Sequence, residues 1–188
     1  EKIRARLLHT IHNTQTTENL RSQVKHLKSQ IVEKYDQWGS DHNEGSVIVL
    51  YASMWGATKK MALAIARGIE SKGLGVKALN IAKSDKSDLV TEIFKARGVV
   101  FGSSTINNGI LSDAAALLEV IKGLKLKNKI GAAFGSYGWS GESVKVIEAK
   151  LKEAGIETVV EGIKMQYTPS PDEIKTCVSF GEAVAEKI

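Results

Sequence analysis

The sequence predicts an α/β protein, a doubly wound five-stranded parallel sheet preceded by an N-terminal helical extension. Three observations carry that expectation. Continuous apolar runs of strand length alternate with amphipathic helical stretches from Ser46 onward. Before residue 40 there is only helical periodicity. Polar, glycine-bearing segments follow three of the apolar runs directly, where such sheets bind ligands.

The elements follow in order. Leu20, Val24, Leu27, Ile31, Tyr35 and Trp38 recur at spacings of three and four, one face of an amphipathic helix with Thr17 as its expected N-cap. Asn13 to Thr17 reads as a break from an earlier short helix, and Gly39 to Gly45 as a polar connector. Residues 1–44 are thus expected to form a helical extension and linker, and residues 45–188 the sheet domain. Val47 to Tyr51 is a continuous apolar run, as a strand covered on both faces requires. Met61, Ala62, Ile65, Ala66 and Ile69 then mark a helix face. Strands are expected at Val76 to Ile81, Gly98 to Gly102, Lys129 to Phe134 and Thr158 to Met165. Helices are expected around Leu89 to Phe94, Ala114 to Ile121 and Val144 to Leu151, and a last one opens at Pro169 and Pro171.

Composition narrows the class. The 188 residues are 43% hydrophobic and 25% charged, ordinary for a globular chain, and no apolar run approaches the roughly 20 residues that cross a membrane. No N-terminal apolar block reads as a signal peptide, and a chain beginning at Glu1 rather than Met is expected either to be a fragment of a longer protein or to lack its first residues. The single cysteine, Cys177, excludes an internal disulfide and fits a cytoplasmic setting. None of the four histidines stands at metal-ligand spacing from Cys, Asp or Glu. The net charge of +5 comes without a basic-aromatic stripe, so nucleic acid is not an expected partner.

Function is expected in the loops after the first, third and fourth strands, where strand order reverses. Ser53-Met54-Trp55-Gly56-Ala57-Thr58 offers two hydroxyls, a glycine that lets an oxyanion approach, and a helix N-terminus with free amides. It matches neither a P-loop nor a dinucleotide fingerprint, which leaves a terminal phosphomonoester as the anion it suits. After the third strand, Gly102 to Gly109 includes Ser104, Thr105, Ile106, Asn107, Asn108 and Gly109. These amides and hydroxyls suit the edge of a flat heteroaromatic ring. After the fourth, Ser136-Tyr137-Gly138-Trp139-Ser140-Gly141 sets two large aromatics between glycines at a strand end, where core packing does not require them.

Together these three stretches resemble the flavodoxin family, and more narrowly the flavodoxin module of the flavodiiron proteins. Phe134 to Glu142 is the most specific of them, and Ile31 to Trp38 is similar to the linker before that module. The resemblance implies a flavodoxin-like sheet of order 2-1-3-4-5 with FMN as cofactor. It implies that Ser53 to Thr58 hold the phosphate. Ser104 to Gly109 and Ser136 to Gly141 would then flank the isoalloxazine, with Trp139 or Tyr137 against its face. Rubredoxin or a flavin/NADH reductase is the implied donor, and a di-iron domain that reduces O2 or NO the acceptor. The chain departs from the family pattern at two positions: Ala52 stands where Asp is frequent and Ser104 where Pro is frequent. The His-x-Glu-x-Asp-His ligand motif of the iron domain is absent from this sequence.

Two other functions fit the same residues: a standalone flavodoxin-like NAD(P)H:quinone reductase, and a cofactor-free interaction module. The apolar stripe of the first helix adds the expectation of packing on the sheet domain or in a homodimer.

Overall fold

A computed structural model describes residues 2–39 and 45–188, with the side chains of residues 16–36 and 45–188. Two compact units divide the chain, residues 1–42 and residues 43–188. The first contains one helix, α1 (Lys2–Gly39), which runs through the expected break at Asn13 to Thr17 and past the expected cap at Thr17. That segment holds no Pro or Gly, and Asn and Thr each cost a helix only a few tenths of a kcal/mol. The sequence signal was therefore too weak to stop the helix.

In the second unit the parallel pairing of β1 (Val47–Ala52) sets everything else. It lies between β2 (Val76–Asn80) and β3 (Gly98–Ile106), and β3 in turn pairs with β5 (Ile130–Tyr137). The far edge is β6 (Glu157–Thr158) and β7 (Ile163–Gln166), both parallel to β5. With those two pieces taken as one strand, the order is the expected 2-1-3-4-5.

The central strands β1, β3 and β5 are buried along nearly their whole length because helices cover both faces, while the edge strands β2, β6 and β7 are only partly buried. One face carries Ile48, Leu50 and Phe101 beneath α3 (Lys86–Lys95), α4 (Ser112–Leu124) and α5 (Ser143–Glu153). The other carries Val47, Val49, Val100 and Phe134 beneath α2 (Ala57–Ser71) and α6 (Pro171–Ala185). Alternate residues of one strand thus feed two cores. A Ser170–Glu173 capping box starts α6 with Pro171 in its first turn, as expected of that proline, while Pro169 lies before the helix.

Two expected elements are built differently. The strand expected over Thr158 to Met165 is split: β6 pairs with the start of β5 and β7 with its end. Between them the Glu148 carboxylate accepts the Gly162 amide at 3.1 Å, so a side chain takes the place of the ladder. The expected loop after the third strand is a hairpin. Ser103 to Ile106 continue β3, Asn107 and Asn108 turn at φ 48° and 57°, and β4 (Gly109–Ile110) returns antiparallel to Thr105 and Ile106. Two consecutive left-handed residues make the tight hairpin turn that matches strand twist, and asparagine tolerates that conformation.

Helices α2 and α6 touch at a pair of glycines. A Cβ at Gly68 would collide with the Val178 carbonyl, and one at Gly181 with the Ile65 carbonyl. Gly181→Ala is therefore expected to lower the unfolding free energy by about 1–3 kcal/mol, read from the denaturant midpoint at unchanged slope. Cys177 lies on α6, fully buried, and burial pushes its thiol up from 9.0 to about 11. It should resist thiol reagents at neutral pH until denaturant unfolds the chain. Because the fold favours the protonated thiol, its contribution to stability is lost as pH climbs from about 9 to about 11.

Candidate functional site

The register of the sheet sets its loop ends side by side. Ala52 pairs with Ser103, Ser104 with Ser136, and Tyr137 with Gln166. The segments after β1, β3, β5 and β7 therefore share the carboxyl edge.

After β1 the chain turns on Ser53, whose Oγ accepts the Gly56 amide at 3.0 Å and keeps its own proton to donate. Gly56, at φ 89°, caps α2 without a side-chain hydrogen bond. That left-handed conformation is one that glycine enters freely. The amides of Ala57, Thr58 and Lys59 have no acceptor within the helix, so they and the positive end of its dipole are available to an anion.

Thr58 points inward. It is fully buried, with Oγ1 2.9 Å from Ser104 Oγ and 2.8 Å from Ser136 Oγ. Ser104 Oγ also accepts the Met54 amide at 3.2 Å and lies 3.4 Å from Ser136 Oγ. Three hydroxyls from α2, β3 and β5 thus form one buried cluster, and the Thr58 hydroxyl that suited a ligand is engaged within the protein.

The hairpin is fixed from behind. Thr105 Oγ1 donates to Ser143 Oγ at 2.9 Å, and Ser103 Oγ donates to the Ser104 carbonyl while accepting the Leu111 amide. Ile106, Asn107 and Asn108 are exposed at its tip, and Gly109 begins the return strand. Ser140 Oγ stands 3.5 Å from Asn108 Oδ1, where the hairpin meets the aromatic loop.

In that aromatic loop the Tyr137 carbonyl accepts the Tyr167 amide at 2.7 Å, and Gln166 Nε2 donates to the Gly138 carbonyl at 2.9 Å. Lys164 Nζ lies 5.6 Å from the centre of the Tyr137 ring, within cation–π range. Lys164 passes close to Gly141, where a Cβ would press on its side chain. The Ser140 hydroxyl holds the Glu142 carboxyl below its ordinary range, against the opposing effect of desolvation, and Lys164 and Lys145 add to the lowering. Glu142 Oε2 itself is buried without a hydrogen-bond partner.

Two tryptophans stand almost wholly in solvent on this edge, Trp55 at 90% and Trp139 at 95% exposure, and Met54 is half-exposed beside Trp55. Tyr167, exposed and left-handed at φ 57°, is a further aromatic there. Sequence reading did not select Tyr167, because it follows the fifth strand and only the loops after the first, third and fourth strands were expected to carry function. Ser143 was also overlooked, since an isolated serine carries no spacing signal, and Ser103 lay within the expected Gly102 to Gly109 stretch without being singled out.

A doubly wound sheet with an anion-ready helix start, an asparagine hairpin and exposed tryptophans on one carboxyl edge defines a class of mononucleotide-binding α/β domains. Within that class the chain belongs to the flavodoxin family: the Flavodoxin family model matches residues 49–181. It is 39% identical over 159 residues to a nitric oxide reductase of Moorella thermoacetica, covering 84% of this chain and 40% of that protein. Rubredoxin oxygen:oxidoreductase from Desulfovibrio gigas matches with TM-score 0.80 and 35% identity, over 85% of this chain and 40% of that one. A flavodoxin from the domain Archaea matches with TM-score 0.69 and 34% identity, over 76% of this chain and 97% of that one. The chain thus spans about 40% of the length of the longer relatives. Its cofactor is FMN. The donor set fits that molecule: unpaired helix-start amides for a phosphate, and exposed indoles for a flat ring. No described helix is long and apolar enough to cross a membrane.

The hydroxyl cluster can be tested directly. Thr58→Val keeps the shape but leaves Ser104 and Ser136 short of a partner, which costs about 1–3 kcal/mol. The thermal midpoint of the apoprotein is expected to fall, and FMN affinity in a fluorescence titration to drop with it.

Proposed function

We propose that residues 45–188 are the FMN-carrying electron-relay domain of a flavodiiron-type system. Electrons would enter from a rubredoxin or a flavin/NADH reductase and leave toward a di-iron O2- or NO-reducing centre. The observation that carries this reading is the pair of tryptophans, Trp55 and Trp139, held in solvent on two loops of the ligand-binding edge. A soluble domain gains nothing by exposing two indoles unless something flat or apolar covers them.

FMN supplies reversible electron transfer when bound; the remaining work is done by the chain. Ser53, with the amides of Ala57, Thr58 and Lys59, holds the phosphate as a hydrogen-bond and dipole cradle. Met54, Trp55 and Trp139 exclude water from the ring faces. Asn107, Asn108 and Gly109, presented by the hairpin, meet the ring edge with amide groups. Tyr137 is turned toward Lys164 and braces the loop from Gly138 to Gly141. The similarity to proteins named nitric oxide reductase and rubredoxin oxygen:oxidoreductase supports a place in such a chain of carriers.

Titrating apoprotein with FMN should quench tryptophan fluorescence at one equivalent. Trp55→Ala and Trp139→Ala should each weaken binding about 5- to 100-fold, the equivalent of about 1–3 kcal/mol of stacking. Steady-state mixing of the holoprotein with NADH and a quinone should give negligible turnover until a donor protein is added. Fast turnover without one would instead establish the quinone reductase.

A further inference from the structure

The end of β7 holds the aromatic loop by two successive carbonyls. That of Tyr137 accepts the Tyr167 amide at 2.7 Å, and that of Gly138 accepts Gln166 Nε2 at 2.9 Å. Strand β5 lies between β3 on one side and β7 on the other. Along a regular strand successive carbonyls alternate between the two neighbours. Here both turn to β7, so the alternation breaks at Gly138, the first residue beyond β5.

A trans peptide sets its N–H opposite its C=O. The Gly138 amide, opposite the Tyr137 carbonyl, and the Trp139 amide, opposite the Gly138 carbonyl, therefore both point away from β7. Neither has an acceptor among the described residues. Two adjacent amides free on one side of a turn are a pair of donors for an oxygen or a lone-pair nitrogen. The ring of FMN carries both along its edge.

The two carbonyls are held by different means. The Tyr167 bond is a further rung of the β5–β7 ladder and comes with the sheet. The Gln166 bond comes from an exposed side chain that adds little to the core. Gly138 has no Cβ, so the Gly138–Trp139 peptide is free to turn over once that bond is lost.

We propose that Gln166 is a positioning residue for the flavin: its side-chain amide pins the Gly138–Trp139 peptide so that the Gly138 and Trp139 amides both face the ring edge. This rests on the loop from Ser136 to Gly141 flanking the ring, as in the function proposed above. Hydrogen bonds from such donors strengthen when reduction adds electron density to the ring. The pinned peptide thus favours the reduced cofactor over the oxidised one and raises its potential.

Gln166→Met keeps the length of the side chain and removes its donor. Titrating the apoprotein should show oxidised FMN bound about 2- to 10-fold more weakly, the loss of about one hydrogen bond. Reduced FMN should lose more, so the two-electron midpoint potential of the bound cofactor moves to a more negative value. Trp139→Ala is the control for the placement of the loop. If it leaves FMN affinity unchanged, the loop does not lie at the ring, and the placement and the proposal fall together. If Trp139→Ala weakens binding while Gln166→Met changes neither affinity nor potential, the placement stands and the proposal is overturned. An equal loss for both forms of FMN, with the potential unmoved, also overturns it, because a merely structural role for Gln166 would give that result.

Discussion

Three buried hydroxyls, on Thr58, Ser104 and Ser136, hold the working edge of this protein together. Each comes from a different element, and each would be costly to bury alone. Their mutual hydrogen bonds remove that cost only when the start of α2 and the ends of β3 and β5 are correctly placed. The cluster therefore ties the anion-ready turn, the asparagine hairpin and the aromatic loop to one another. Ser104 extends the tie by accepting the Met54 amide. A ligand arriving at this edge meets donors already fixed in position, which spares it the entropy of ordering them.

Behind that edge lies a sheet whose own requirements are apolar. β1 and β3 send alternate side chains into two cores, and the helices on either side make both faces dry. The glycine contact between α2 and α6 lets their backbones approach closely, and α2 is the helix that begins at the anion-ready turn. Packing far from the ligand edge thus helps set the direction in which the amides of Ala57 and Thr58 point. Stability and site geometry are coupled through one helix.

Much of this was legible in the residues. Val47 to Tyr51 reads as a buried parallel strand because its apolar run is continuous, and the polar turns announce where strands end. The loop from Ser53 to Thr58 announces a tight strand-to-helix turn through its glycine and helix start. The asparagine pair was legible as polar but not as a hairpin turn, since asparagine serves loops and turns equally and only pairing of Thr105 with Ile110 distinguishes them. The split of the last strand was hidden for a similar reason. Glu148, far away in sequence, takes the amide that a ladder would have used.

The sequence by itself determined the alternation of strands and helices, the polar loops that follow the strands and the helical periodicity of α1. All three follow from local periodicity and composition, which neighbours along the chain are enough to define. Only the tertiary structure decided that Thr58 turns inward to serine partners while Trp55 and Trp139 stay in solvent. It also decided that Lys164 lies against Tyr137. Those outcomes depend on which side chains meet across strands and helices separated by dozens of residues. Hydrogen bonding and burial are settled by such meetings, and no one-dimensional pattern encodes them.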